Sequence, residues 1–218
     1  MLNNKHYVKI IGGFIVWVSL NLFITGFAQA SYYPGINPKV LSLALKGYEY
    51  AESQGRVSKK ILVIVDYTID SSKKRLWVLD LSRKQVLSWL HVSHGSGSSG
   101  SSGSTPQMAT KFSNQEGSRA SSLGVYVTEN EYVGKHGYSM RLQGLEKGIN
   151  DAAFRRTIVL HPASYVSQSF IDRNGYTGRS WGCFAVSPKA SNKLINTIKD
   201  GSVLFAYGPG IEKDPNLQ

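Results

Sequence analysis

ILVIVD at residues 61–66 opens with five unbroken apolar residues, largely β-branched, between Lys60 and Asp66. It is too short for a helix that must bury a face, and it reads as a buried strand. RLWVLDL at 75–81 and QVLSWLHV at 85–92 follow with the same chemistry, and Ser82-Arg83-Lys84 between them suits a hairpin connection. Further along, 123–128, 138–142, 157–161, 183–186 and 203–207 are also short and rich in Val, Leu, Ile and aromatic residues. Only two segments switch to helical spacing. Asn37-Pro38 is an N-cap followed by proline in the first turn, and Val40, Leu41, Ala44, Leu45 and Tyr48 then mark one face, which predicts a helix over 38–53 closed by Gln54-Gly55. Ser187-Pro188 repeats that signature before Leu194, Ile195 and Ile198, predicting a helix over 188–200 that stops at Gly201. Many short strands and two helices specify a mainly β domain, a β-sandwich or open barrel with a few peripheral helices.

The first 30 residues read as an address rather than as part of that domain. Lys5, His6 and Lys9 precede an apolar stretch at 10–27, and Ala28-Gln29-Ala30 is a small-x-small site for cleavage before Ser31. A retained single-pass anchor is the rival reading, because the stretch is long enough to span a thin bilayer. The expected organisation is a cleavable signal peptide at 1–30, a helical lead-in at 31–58 and one domain at 59–210. Cleavage removes Lys5 and Lys9 and lowers the net charge of +11 by two. An exported protein with that surplus is drawn to anionic envelope polymers. Export, and the lack of a basic cluster interleaved with aromatics, argue against nucleic acid as a partner.

The sequence has one cysteine, Cys183, so no intramolecular disulfide is available and the thiol is either reactive or buried and inert. It sits in Arg179-Ser180-Trp181-Gly182-Cys183, where Gly182 allows a tight backbone approach that aims amide N–H groups at a developing oxyanion. His161 ends the apolar run Ile158-Val159-Leu160, a position that holds a side chain at a cleft edge. A thiol and an imidazole form a coherent nucleophile–base pair. Ser180 bonds the histidine, lines the pocket or braces the turn. His91, His94, His136 and His161 have no tight metal-ligand spacing, so no metal site is expected. Residues 93–106, SHGSGSSGSSGSTP, form either a slack surface loop or a flap over a site, and Arg155-Arg156 reads as a solvated pair.

His161 followed by Ser180-Trp181-Gly182-Cys183 resembles the active-site signature of the L,D-transpeptidase catalytic domain, the YkuD-like family. The resemblance extends to VDY at 65–67, KKRLWVLD at 73–80, HVSHG at 91–95, FSNQEGS at 112–118, SLG at 122–124, GKHG at 134–137 and RLQGLE at 141–146. Together these span roughly residues 60–208, nearly the whole domain. The resemblance implies an enzyme on peptidoglycan stem peptides in the periplasm or cell envelope. Cys183 is then the nucleophile, His161 the base, and Gly182 with Ser180 the oxyanion support. No cofactor is implied. It also implies acylation by a stem tetrapeptide, release of D-alanine and a 3→3 cross-link.

The chain departs from that signature in places. Trp181 stands where many members have histidine, Pro162 follows the catalytic-type histidine in place of glycine, and Phe184-Ala185-Val186 follows the cysteine in place of a nearby arginine. Arg141 and Arg179 are the candidate replacements for a carboxylate contact, with Trp181 and His94 as further substrate-binding candidates. An L,D-carboxypeptidase and a retired peptidoglycan-binding module are the alternatives. Papain-like peptidases are disfavoured, because here the histidine precedes the cysteine by 22 positions.

Overall fold

The computed structural model describes residues 33–99 and 106–217; the expected signal peptide and the centre of the Gly/Ser run lie outside the described residues. Eight strands form one sheet, curled into a half-barrel, in the order β3-β2-β1-β8-β4-β5-β6-β7. They are β1 (Ile61–Asp66), β2 (Leu76–Asp80), β3 (Gln85–Leu90), β4 (Gly124–Gly134), β5 (Gly137–Gly144), β6 (Val159–Pro162), β7 (Phe184–Val186) and β8 (Val203–Tyr207). Of the two expected architectures the open, curled one is found. A single sheet accounts for every named strand, and among the described residues no second sheet packs across it.

The central position of β1 explains its composition. It pairs antiparallel with β2 and parallel with β8, and Leu62, Val63, Ile64 and Val65 have no exposed surface. Helix α1 (Pro38–Ser53) lies across β1, β8 and β4. Asn37 caps it by accepting from the Lys39 N–H at 2.9 Å, and Val40, Leu41, Ala44, Tyr48 and Ala51 form its buried stripe. Burying Val40 and Leu41 alone contributes about 3–5 kcal/mol. Gly47 belongs to the same face for lack of a side chain, since a methyl group there would meet Val125 at 2.9 Å.

Two elements differ from expectation. β4 runs on through Glu129–Gly134, past a bulge between Thr128 and Glu131, to make a long hairpin with β5 whose tip is Lys135-His136. That second half is polar because it stands clear of the core. Helix α2 (Gln168–Asn174) was not anticipated; it buries only Ile171 and is set by its ends, with Ser167 accepting from the Phe170 N–H and Gly175 closing it at φ +77°. Helix α3 (Pro188–Ile198) is the expected C-terminal helix, packed on β5 and β6 through Leu194, Ile195 and Ile198.

After β5 the chain carries a buried carboxyl pair. Glu146 accepts from the Val125 N–H at 2.5 Å and from Asn150 Nδ2 at 3.2 Å, and shares a hydrogen bond with Asp214 of the C-terminal segment. Burial, with the Asp214 contact next, pushes Glu146 up to about 9. It is therefore a neutral carboxylic acid at neutral pH, and its proton ties the chain end to the sheet.

Candidate active site

β6 and β7 run parallel, with Leu160 opposite Phe184 and His161 opposite Ala185. Alternation along the two strands turns Leu160 and Phe184 into the core and Val159 and His161 to the opposite face, where Cys183, just before β7, joins them. All three line a cleft of about 830 Å³. Its walls are cationic: Arg119, Lys135, Arg155, Arg156 and Arg179 stand against one carboxylate, Glu116. A smaller hollow of about 310 Å³ between Phe112, Leu123, Ile149 and Ile211 is mainly apolar, with neither cysteine nor histidine in its wall.

Cys183 is partly exposed, and its Sγ donates to the Thr157 carbonyl at 3.6 Å. Burial pushes the thiol above its ordinary value, opposed by the Val159 N–H and by the charge of Arg156. His161 is nearly buried, and its Nδ1 lies 3.0 Å from the Pro162 carbonyl. A carbonyl can only accept, so Nδ1 carries the proton and Nε2 is left as the basic nitrogen. Burial pulls His161 below the usual imidazole range; the Pro162 bond opposes this and the nearby His136 adds to it. Both shifts favour a neutral thiol and a neutral imidazole at rest.

The turn before the thiol is tightly specified. Gly182 has φ +113°, and a methyl group there would lie 2.7 Å from the Ala120 carbonyl. Ser180 braces the turn, its Oγ donating to the Cys183 carbonyl at 2.7 Å and accepting from the Gly182 N–H at 3.2 Å. Of the three roles open to Ser180, this is the one its bonds describe. Thr157 has φ +54°, a conformation that a β-branched residue rarely holds, and its carbonyl is the thiol's acceptor.

The expected substrate contacts separate. Arg179 and Trp181 line the cleft, and Trp181 is 70% exposed under the Arg119 guanidinium at 4.5 Å. Arg141 stands one layer back, its guanidinium over the Tyr132 ring at 4.3 Å, and only Tyr132 reaches the cleft. His94 does not reach it. It is fully buried, its Nδ1 accepting from Arg75 Nη2 at 2.8 Å and its Nε2 3.1 Å from Ser99 Oγ. Burial first, then Arg75 and Arg179, bring it down to about 3. It holds the 93–99 segment, whose His94 carbonyl accepts from the Ser180 N–H at 2.9 Å.

Two further residues enter the site. His136, at the β4–β5 hairpin tip, stacks on His161 with centroids 4.4 Å apart. Arg156, read as half of a solvated pair, is half-buried and donates to the 113–122 loop. The Gly134–Gly137 hairpin signal was present in the sequence for His136, whereas nothing local distinguishes Arg156 from Arg155. Among the described residues no cluster of three or more His, Cys, Asp or Glu side chains is placed to hold a metal ion.

A family model described as an L,D-transpeptidase catalytic domain matches residues 33–207. Among solved structures the chain is similar to an L,D-transpeptidase from Mycobacterium smegmatis, at 13% identity and a TM-score of 0.40, covering 68% of this chain and 59% of that one. It is similar also to an L,D-transpeptidase from Xylanimonas cellulosilytica, at 17% identity and TM-score 0.38, covering 73% and 68% of the two chains. A third, from Stackebrandtia nassauensis, has 18% identity and TM-score 0.39, covering 78% and 67%. The chain thus spans about three-fifths of the length of the mycobacterial protein. Among curated proteins no similar sequence was found. The family match takes in α1, the whole sheet and every residue of the cleft, and on that match the chain belongs to the family of L,D-transpeptidase catalytic domains.

Proposed function

We propose that this domain is a cysteine-dependent peptidoglycan L,D-transpeptidase with Cys183 as nucleophile and His161 as base. The observation that carries the reading is the lone thiol on one strand face with an imidazole whose Nδ1 is held by a carbonyl, in a cation-lined cleft. Cys183 attacks the carbonyl of the diamino acid at position three of a tetrapeptide stem while His161 Nε2 takes the Sγ proton. The tetrahedral oxyanion is received by backbone N–H groups of the Gly182–Cys183 turn, where the 3.2 Å contact to Ser180 is long enough to be exchanged. Collapse breaks the peptide bond, His161 returns the proton to the leaving amine, and D-alanine departs from a thioester. The amine of a second stem then attacks the thioester, giving the 3→3 cross-link and restoring the thiol.

Because burial holds the thiol up and the imidazole down, the pair rests neutral, and the thiolate forms as His161 takes the proton. Arg179 and Trp181 bind the stem, with Arg141 steadying Tyr132 behind them. The leader at 1–30 carries the domain to the cell envelope, where its positive charge favours anionic polymers.

The test is incubation of the purified enzyme with tetrapeptide muropeptides, products followed by mass spectrometry, with Cys183→Ala as control. D-alanine loss together with a cross-linked dimer, absent in the variant, is expected. Tripeptide alone would make the enzyme an L,D-carboxypeptidase. No product and an inert thiol would refute catalysis and leave a peptidoglycan-binding module.

A further inference from the structure

Arg156 brings a full positive charge into the cleft wall without a bonded carboxylate. Its guanidinium donates to the Ala120 carbonyl at 2.6 Å, the Ser113 carbonyl at 2.7 Å, Ser122 Oγ at 3.1 Å and Ser118 Oγ at 3.3 Å. All four acceptors are neutral and all belong to the 113–122 loop. Such bonds fix the plane of the guanidinium without neutralising its charge, and the Glu116 carboxylate bears on it only through space. Arg155 beside it is exposed and reaches only the exposed Glu116, at 3.9 Å.

The same guanidinium abuts the turn that presents the thiol. A methyl group on Gly182 would stand 3.2 Å from Arg156 Nη2 and 2.7 Å from the carbonyl of Ala120, which Arg156 itself holds. The next residue, Thr157, offers its carbonyl to the Cys183 thiol. One dipeptide therefore contacts both the resting thiol and the turn that carries it. The charges of Arg156 and Cys183 also bear on each other, the guanidinium favouring the thiolate.

We propose that Arg156 is a positioning residue for the reaction: clamped by the 113–122 loop, it supports the Gly182 turn and offsets the negative charge that forms on Cys183. This rests on the reading of Cys183 as nucleophile. An opposite charge beside an acidic group typically lowers its pKa by about 1–3 units, so removing this one lowers the thiolate fraction at a given pH by about tenfold or more.

The test reads the thiol directly, as the pH dependence of iodoacetamide alkylation of the intact protein. Arg156→Gln and Arg156→Met are expected to alkylate at least about tenfold more slowly at pH 8, with kcat falling in step and KM little changed. Arg156→Lys keeps the charge and is expected to stay within about threefold of wild type, even where its melting temperature falls with the lost fork. A neutral variant that folds and titrates like wild type overturns the proposal, since a purely structural clamp predicts that result. Should the neutral variants not fold, the guanidinium ¹⁵N resonance of wild-type Arg156 is followed across the Cys183 titration, with carbamidomethylated protein as control. A signal unmoved in the free-thiol protein overturns the proposal too. Alkylation needs no muropeptide, so a failed cross-linking assay with the titration shift intact would fault the substrate reading and not Arg156.

Discussion

Replacing Glu146 with glutamine is expected to abolish most of the pH dependence of stability between pH 7 and 8.5. In the folded protein Glu146 ionises at about 9, far above the ordinary carboxylate value of 4.5. A carboxyl raised in this way contributes stability that is fully present below the unfolded value and is lost as pH rises toward the folded one. Across that interval the folded protein holds a proton that the unfolded chain releases. The slope is about 1.4 kcal/mol per pH unit, so going from pH 7 to 8.5 costs about 2 kcal/mol, an upper figure for a buried pair. For a domain of this size that lowers the melting temperature by about 4–8 °C. The window avoids the histidines. His94, His91 and His161 are all lowered by burial, so they cost stability only on the acid side, as the unfolded chain takes up protons. Glutamine reproduces the shape of the neutral acid and can still accept from the Val125 N–H. Thermal melts of wild type and Glu146→Gln at half-unit pH steps give the comparison, and equal slopes for the two would refute the reasoning.

Gly182→Ala places a methyl group 2.7 Å from the Ala120 carbonyl at a backbone angle of +113°, and kcat is expected to fall by at least about 100-fold through displacement of the thiol. Single-turnover acylation of this variant checks it, and near-normal acylation would show that the turn is more pliable than described. His136→Ala removes the ring stacked on His161; because His136 helps hold that imidazole down, the acid limb of kcat/KM is expected to move to higher pH. Loss of the stack also costs about 0.5–1.5 kcal/mol of positioning, or about 2–10-fold in kcat/KM. His136 is exposed at a hairpin tip, so the melting temperature should fall by no more than about 1–6 °C, and an unshifted acid limb would count against the coupling.

The parts of this molecule legible in the sequence are those where burial writes a local pattern. ILVIV at 61–65 is apolar throughout because β2, β8 and α1 enclose β1, and Asn37-Pro38 and Ser187-Pro188 mark helix starts whose capping chemistry is local. The polar arm of β4 and the short α2 left no such mark, since one stands away from the core and the other buries a single side chain. Whether the strands make one sheet or two depends on pairings between distant residues, on which periodicity is silent. In the site, a strand-end histidine and a glycine-flanked cysteine were visible, but their shared face follows from the β6–β7 register. His94 looked like a cleft residue at a strand end; no local pattern signals that Arg75, fully buried, bonds its ring. Arg156 was misread for the same reason, its acceptors lying more than 30 residues away.

The place of β8 in the sheet has a consequence for how the chain comes to be folded. It is the last strand in sequence, yet it lies between β1 and β4 and is the only strand joining the β3-β2-β1 side to the β4-β5-β6-β7 side. Until residues 203–207 are available, β1 and β4 each present an unpaired apolar edge, and the two sides are tied by the bonds of the 93–96 segment to Ser180 and Ala185 but by no pairing of named strands. Closing the sheet means bringing residue 62 to residue 203, a separation whose loop entropy must be overcome before the pairing is gained. A nascent chain of this kind has no complete sheet to form until its last strand has been synthesised, so the cleft that the sheet carries is assembled only after the whole domain is available.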